Sequence, residues 1–149
     1  MSPSSGAFEG REHVLPVRVY YEDTDFTGVV YHASYLRFFE RGRTEFLRAI
    51  GVEHAELLKP PEPCAFALTK ISVAFRRAAR VDDALEVRTK YHSVRGVRIG
   101  AAQRIVRDGA AIAEADVEVV CIRPDSGRPR RPPPELAQRM APFLASDAP

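Results

Sequence analysis

Hydrophobic and polar residues alternate at the start of residues 17–47 and then change to a helical spacing. Val17, Val19 and Tyr21 alternate with polar neighbours, the period-two pattern of a half-buried strand. After an acidic turn that contains Gly28, apolar residues recur at the spacing of an amphipathic helix, and Gly51 follows at the position of a left-handed cap. The pattern predicts a strand followed by a helix over residues 30–50. Its apolar positions are Tyr35, Leu36, Phe38, Phe39, Phe46, Leu47 and Ile50.

Four more strands and a short helix are predicted downstream. The strands span residues 65–75, 84–94, 97–107 and 110–122, and Asp108-Gly109 is a hairpin signal between the last two. A helix over residues 134–144 begins at a proline. One long helix with five antiparallel strands indicates an α+β fold. The strand over residues 84–94 lacks Pro and Gly, which predicts an open edge that another chain can pair with.

The length and composition indicate one globular domain. We assign residues 14–145 to this domain and the polar residues 1–13 to a flexible tail, since the chain has 149 residues. No apolar segment has the length of a membrane span or the form of a secretory signal, so we expect a soluble, cytoplasmic protein. A net charge of +2 argues against general nucleic-acid binding. Cys64 and Cys121 lack metal-ligand spacing, which predicts buried, reduced thiols.

The candidate chemistry lies in the turn before the long helix. Asp25 precedes a helix whose first peptide N–H groups have no internal partner and carry the positive end of the macrodipole. A carboxylate beside such a helix start can act on a carbonyl and stabilise the oxyanion that forms. The alternative is that Asp25 only caps the helix or closes the turn. Asp23 and Asp25 also form a D-x-D pair, but this turn offers too few oxygen ligands for a hard cation.

A specific motif runs through this stretch. It consists of Tyr21-Glu22-Asp23-Thr24-Asp25, then Gly28-Val29-Val30-Tyr31-His32, then Tyr35 and Glu40-Arg41. It resembles the hotdog-fold acyl-CoA thioesterases, in the branch of the Tol-Pal-associated and 4-hydroxybenzoyl-CoA thioesterases. The resemblance implies a curved sheet wrapped around the long helix, hydrolysis of a thioester without a cofactor, and sites in the seam between two subunits. One departure is Phe26-Thr27, where the similar proteins often have small residues or proline.

The resemblance assigns roles to the motif residues. Asp25 would be the nucleophile or the general base, because a carboxylate can do either. His32 would polarise the carbonyl through its backbone N–H or orient the acyl group through its imidazole. Tyr21 would orient Asp25 or the substrate, and Gly28 would supply a backbone shape that a side chain would disturb. Tyr31 is assigned to substrate binding.

Two basic clusters are candidates for the anionic tail of CoA. The first contains Arg76, Arg88 and Lys90, and the second contains Arg128 and Arg130. Arginine suits phosphate contacts, but loops also carry solvated charge without a ligand. The resemblance thus implies an acyl-CoA thioesterase that forms a homodimer or homotetramer.

Two alternative functions remain open on the sequence. The first is a non-catalytic hotdog module that binds acyl groups or acyl carrier protein. The second is a dehydratase on the same fold, although similar dehydratases place a histidine and an acid differently from Asp25, Gly28 and His32.

Overall fold

The chain is described by a computed structural model over residues 4–144. Its elements are β1 (Ala7–Glu9), β2 (Glu12–Arg18), a 3-10 turn (Tyr21–Asp23), α1 (His32–Ala49), α2 (His54–Leu57), β3 (Ala65–Phe75), β4 (Ala84–Arg95), β5 (Arg98–Arg107), β6 (Ala110–Ile122) and α3 (Pro134–Leu144).

The six strands form one antiparallel sheet in the order β1-β2-β4-β5-β6-β3. Helix α1 packs against β2, β4 and β5 on the inner face, and α3 packs against β4. The α+β class and the packing of one long helix on the sheet confirm the expectation of a hotdog arrangement. The predicted count of five strands is wrong, because β1 adds a sixth.

The N-terminal segment forms a hairpin rather than the flexible tail predicted for residues 1–13. Ala7 pairs with Val14 and Phe8 with His13, across a turn in which Gly10 has a φ of +61°. The Phe8 ring lies 5.0 Å from the ring of Phe46, which holds the hairpin on the core. A strand of three residues is too short to show a period-two pattern, so the prediction failed from Ala7 onward. Residues 1–3 lie outside the described part.

Most downstream predictions are confirmed. The bounds of β3, β6 and α3 coincide with the predicted ranges, and Asp108-Gly109 forms a tight turn with φ of 51° and 80°. Cys64 and Cys121 are buried free thiols, as expected. Helix α1 begins two residues later than predicted, because Val30 donates its N–H to the carbonyl of Ala79 at 2.8 Å and is tied to a loop.

Strand β4 lies inside the sheet, so the prediction that it forms an open edge is wrong. It pairs with β2 on one side and β5 on the other. The open edges are β1, which is three residues long, and β3, which is eleven residues long. The order of strands depends on contacts between distant segments, which the alternation within a strand does not encode.

Helix α1 approaches the sheet most closely at Gly42. A Cβ atom on this residue would lie 2.6 Å from Cγ1 of Val87 and 2.8 Å from Oγ1 of Thr89. Beside this contact, Gln103 donates its Nε2 hydrogens to the carbonyl of Phe39 at 2.8 Å and to the Thr89 hydroxyl at 2.9 Å. A glycine in mid-helix therefore sets the distance between α1 and β4.

Replacing Gly42 with leucine should destabilise the protein by about 3 kcal/mol or more, because the core has no room for the added atoms. At this chain length the melting temperature should fall by roughly 6–12 °C. Ala49→Leu places the same side chain at an exposed position of α1 and is the control. Equal melting temperatures for the two variants would contradict the role assigned to Gly42.

Candidate active site

The turn that carries Asp25 is held against the start of α1. An isolated bridge joins Thr24 to Val30, and the Asp25 N–H donates to the carbonyl of Val29 at 2.9 Å. Gly28 closes this turn with a φ of +86°, a conformation that favours glycine, and nothing lies within 4 Å of where its Cβ would be. The predicted backbone role of Gly28 is therefore met by its positive φ and not by a close contact.

The first N–H groups of α1 are free. Tyr31 occupies the N-cap position and donates its own N–H to the carbonyl of Asp23 at 2.9 Å. The Ser34 N–H donates to the carbonyl of Tyr31 at 2.8 Å. Between them, the N–H groups of His32 and Ala33 have no acceptor within residues 4–144. His32 is thus the first helical residue, and its N–H points along the positive end of the helix dipole.

The Asp25 carboxylate is oriented by Thr27. Oδ1 of Asp25 accepts the Thr27 backbone N–H at 2.8 Å and the Thr27 hydroxyl at 2.6 Å. The hydroxyl bond and then the backbone bond lower the pKa of Asp25 below its usual range. The group is therefore ionised near neutral pH, with one oxygen fixed by the turn.

Thr27, which the sequence prediction missed, and not Tyr21, makes the hydrogen bonds to the Asp25 carboxylate, so a contact of Tyr21 with the substrate stays a prediction. The Tyr21 side chain is 85% exposed and lies in the 3-10 turn, not in a strand. No hydrogen bond joins Tyr21 to Asp25 in the described part of the chain. The Asp-x-Thr spacing could have identified Thr27, since an Asp side chain often accepts the N–H two residues further on.

We predict that Thr27→Val raises the pKa of Asp25, because the carboxylate loses its shortest hydrogen bond. If the ionised form is active, hydrolysis in the wild type persists at pH values below the usual aspartate range. In the variant the acid limb of the pH–rate profile should move to higher pH. A carbon-13 NMR titration of the Asp25 carboxyl checks the cause, with Thr24→Val as the control. An unchanged titration would remove Thr27 from the site.

The two aromatic motif residues at the helix start lie together on the surface. The rings of Tyr31 and His32 are 4.4 Å apart, and both side chains are exposed. Both residues stand at the start of α1, beside its free N–H groups. The assignments of His32 to catalysis and of Tyr31 to substrate binding stay predictions.

Asp23 does not form a cation site with Asp25. Its carboxylate is buried and accepts the Tyr20 N–H at 2.8 Å. Among residues 4–144 no group of three or more His, Cys, Asp or Glu side chains is placed to hold a metal ion. Asp23 instead closes the 3-10 turn that leads into the Asp25 turn.

The first basic cluster does not converge on this site. Arg88 forms ion pairs with Glu9, Glu12 and Glu86 at 2.8–3.0 Å, and only 15% of its side chain is exposed. Arg88 and Lys90 alternate with the buried positions of β4, so they project from the face of the sheet opposite α1. The alternation of buried and exposed residues along β4 was predicted correctly. Because α1 and the Asp25 turn lie on the other side of the sheet, Arg88 and Lys90 are separated from the Asp25 turn of the same chain. A CoA tail bound at that turn would therefore not reach Arg88 or Lys90 of the same chain.

The remaining basic residues lie at two ends of β3. Arg76 follows β3 and pairs with Glu114 at 2.6 Å. Arg128 and Arg130 lie in the hairpin after β6. Arg130 donates to the carbonyls of Glu62 and Pro63, and Arg128 is exposed. Strand β3 has eleven residues, so its two ends are about 33 Å apart.

A pocket of about 370 Å³ runs along α1 from one turn beyond its start. Its wall on the sheet side is mostly apolar, and its wall on the helix side carries Glu40 and Arg43. At its far end lies His54, whose pKa is lowered by burial. The lining is Leu36, Arg37, Glu40, Arg43, Thr44, Leu47, His54, Phe66, Leu68, Tyr91, Ile99, Val119 and Met140.

No helix within residues 4–144 is long and apolar enough to cross a membrane. The cytoplasmic location expected from the sequence stays a prediction.

Comparison with known proteins relates this arrangement to one family. The chain is 46% identical over 122 residues to the acyl-CoA thioester hydrolase YbgC of Escherichia coli O157:H7, covering 81% of this chain and 90% of the relative. It is 44% identical over 108 residues to the acyl-CoA thioesterase YbgC of Haemophilus influenzae, covering 72% and 79% of the two chains. The crystal structure of a probable thioesterase from Bartonella henselae superposes with a TM-score of 0.78 at 40% identity, covering 82% of this chain and 99% of that one. The family model of the thioesterase-like superfamily matches residues 19–140. This chain belongs to the thioesterase-like superfamily.

Proposed function

We propose that this protein hydrolyses acyl-CoA thioesters, with Asp25 as the catalytic carboxylate and the start of α1 as the oxyanion site. The observation that carries the proposal is the ionised Asp25, fixed by Thr27, in a turn that a bridge from Thr24 to Val30 holds two residues before the first free N–H group of α1, that of His32. The substrate class follows from the names of the relatives, which are acyl-CoA thioester hydrolases. Neither the binding-module nor the dehydratase alternative has a comparable observation in its favour.

The reaction needs attack on a carbonyl and stabilisation of its oxygen. Asp25 acts on the carbonyl carbon either directly, giving an acyl-enzyme anhydride, or by taking a proton from the attacking water. As the carbonyl oxygen becomes negative, the His32 N–H donates to it, and the helix dipole favours the charge. Collapse of the intermediate breaks the C–S bond and releases the CoA thiolate. In the general-base route it leaves the carboxylic acid directly, and in the nucleophilic route it leaves the anhydride, which a water molecule then hydrolyses to the acid and free Asp25. No step requires a metal ion or another cofactor.

The pocket along α1 is the proposed acyl site. It begins near Leu36, one helical turn from His32, so a thioester held at the helix start would direct its acyl chain into the pocket. Apolar residues of the sheet, such as Phe66 and Val119, would cover the chain. A mostly apolar pocket with a few polar groups is the usual form of a small-molecule site.

We further propose that two chains pair through β3. Strand β3 is an open edge of eleven residues without Pro or Gly, so its outward N–H and C=O groups can pair with another strand. Leu68 and Phe75 on this strand are about half exposed, and Phe26 in the Asp25 turn is fully exposed. Pairing would cover part of this exposed apolar surface.

This pairing would complete the site with basic residues of the partner. When two copies of β3 pair antiparallel about their middle, Ala65 of one chain lies opposite Phe75 of the other. The hairpin with Arg128 and Arg130, near the first end, would then approach the loop after Phe75 in the partner. That loop contacts the Asp25 turn, because Val29 forms a bridge with Arg80. CoA phosphates would thus be bound across the seam.

We predict that Arg128→Ala raises KM for a CoA ester several-fold and leaves kcat unchanged, because the residue would bind the nucleotide and not the reacting atoms. The matching pantetheine ester, which lacks the phosphates, should be unaffected. Arg88→Ala is the control and should lower stability without a selective KM effect, because it removes the ion pairs of Arg88 with Glu9, Glu12 and Glu86. Equal KM increases on both esters would exclude phosphate binding by Arg128.

The proposed function is tested by release of free CoA from purified protein. Short, long and aromatic acyl-CoAs are incubated with a thiol reagent, and turnover is compared between the wild type and Asp25→Asn. Turnover that is absent for every ester, or equal in the two proteins, would contradict the proposal. Acyl carrier protein esters belong in the same screen, since the choice of thiol donor stays a prediction.

A further inference from the structure

Arg43 is a largely buried charged group in the pocket along α1, and it has no ion-pair partner among the described residues. Arg43 lines the pocket and is largely buried, and its Nη1 donates to Oε1 of Gln103 at 3.0 Å. Within residues 4–144 no carboxylate forms an ion pair with it. Burial lowers the pKa of Arg43, with Tyr91 and Glu40 acting in the opposite direction. Buried charges are normally paired, so a guanidinium in this state is unusual.

The free part of this guanidinium is open to the pocket. Gln103 is itself held by Phe39 and Thr89, so the bond to Gln103 fixes the orientation of Arg43. Arg43 lines the pocket, and within residues 4–144 the hydrogen bond of Nη1 to Gln103 is the one side-chain bond that its guanidinium makes. A guanidinium has five N–H donors in a planar fork. Donors of the fork therefore remain for a ligand in the pocket.

We infer that Arg43 selects acyl groups that carry a carboxylate at their far end. This inference rests on the proposed function and assigns a substrate class to the same site. A carboxylate accepts two parallel hydrogen bonds from an arginine fork, which a methyl group cannot do. The charges that line the pocket also favour an anion, because Arg37 and Arg43 face a single carboxylate, Glu40, and His54 is held neutral by burial.

The position of Arg43 sets a minimum length for such an acyl group. Its Cα lies eleven residues from that of His32, about 16 Å along the helix axis. Side chains in a helix lean toward its N-terminus, so the guanidinium reaches back and lies closer, at about 10–16 Å. An extended chain advances about 1.2 Å per bond, so roughly eight to thirteen bonds join the thioester to the carboxylate. Short dicarboxylic esters should therefore not reach Arg43.

The test compares matched esters on the wild type and on Arg43→Gln. Sebacoyl-CoA and decanoyl-CoA have the same carbon count and differ in the terminal carboxylate, and succinyl-CoA and butyryl-CoA are the short pair. In the variant, kcat/KM for sebacoyl-CoA should fall about 10- to 100-fold, with decanoyl-CoA and both short esters within about threefold of wild type. Arg43→Lys should recover part of the loss. Arg41→Gln changes an exposed arginine of the same helix and should change nothing.

Three outcomes would overturn the inference. Equal losses on sebacoyl-CoA and decanoyl-CoA would show that Arg43 only holds Gln103 in place. A selective loss on succinyl-CoA would place the carboxylate elsewhere. The third probe is a decanoyl-CoA that carries a terminal hydroxyl. If Arg43→Gln lowers kcat/KM for this ester as much as for sebacoyl-CoA, Arg43 selects any oxygen acceptor and not a carboxylate.

Failure of the proposed function is detected separately. If the wild type hydrolyses none of the esters, the proposed activity is wrong, and calorimetric binding of the same esters still tests Arg43. Sebacoyl-CoA should then bind at least about 10-fold more weakly to Arg43→Gln than to wild type, with decanoyl-CoA unaffected. Equal binding of both esters by both proteins would overturn the inference on its own.

Discussion

Asp25→Asn should lower kcat for acyl-CoA hydrolysis by about 100-fold or more, with the melting temperature unchanged. An amide neither attacks a carbonyl nor accepts a proton from water, so either form of the mechanism loses its reactive group. The fold should tolerate the change, because the Asn oxygen can still accept the two bonds from Thr27 and asparagine is common in such turns. KM should change little, since Asp25 would contribute to the transition state and not to substrate binding.

The matched control is Asp116→Asn, which removes a carboxylate from an exposed position of β6. It should retain full activity. Activity of Asp25→Asn within a few-fold of wild type, at equal stability, would exclude Asp25 as the catalytic group. Single-turnover hydrolysis in oxygen-18 water then tests the nucleophilic mechanism. If water opens the anhydride at the Asp25 carbonyl, Asp25 gains the label and passes an unlabelled oxygen to the acid, which a general base never does.

Blocking the β3 edge should produce an inactive monomer with a native fold. We expect the wild type to sediment as a dimer or larger species at micromolar concentration, at twice the 16.6 kDa of one chain or above. Successive residues of a strand point their N–H groups to opposite sides, so one of Ser72→Pro and Val73→Pro removes an outward N–H and the other breaks the ladder to β6. The variant that removes only an outward N–H should be folded, monomeric and inactive. The variant that breaks the ladder to β6 should be destabilised. A wild-type mass near that of one chain would contradict the dimer.

Shared sites can be tested by mixing two disabled proteins. Asp25→Asn lacks the carboxylate, and Arg128→Glu lacks the proposed phosphate contact of the partner. In a mixed dimer one site carries both defects and the other carries neither. After complete subunit exchange, half of the dimers are mixed, so activity at substrate concentrations below KM should recover to about a quarter of the wild-type level. No recovery after confirmed exchange would show that each chain has a complete site.

Local patterns were sufficient for most elements and for the position of the candidate carboxylate. The alternation of Leu85, Val87 and Tyr91 identified β4 and its buried face, because a strand has a period of two whatever it pairs with. Asp108-Gly109 identified a hairpin, because few residue types adopt a positive φ. The site motif was recognised for a similar reason, since Asp25 and His32 lie close together in sequence on one turn and one helix start.

Contacts between distant segments decided what the sequence left open. Whether β4 is an edge depends on the pairing of β2, whose first residues were assigned to a tail. The availability of Arg88 for phosphate depends on three glutamates, two of which come from the N-terminal hairpin. A charge pattern along one strand does not show which carboxylates will lie beside it in the folded chain.

The sequence by itself determined the helix, the turns, the faces of the strands and the carboxylate before α1, because each depends on residues a few positions apart. Only the tertiary structure decided which edge is open, which arginines are paired and how close α1 lies to the sheet at Gly42. It also placed Arg43 in a pocket without a carboxylate partner, a property of residues from helix and sheet together. These features depend on packing between segments far apart in the chain, and local periodicity contains no record of that packing.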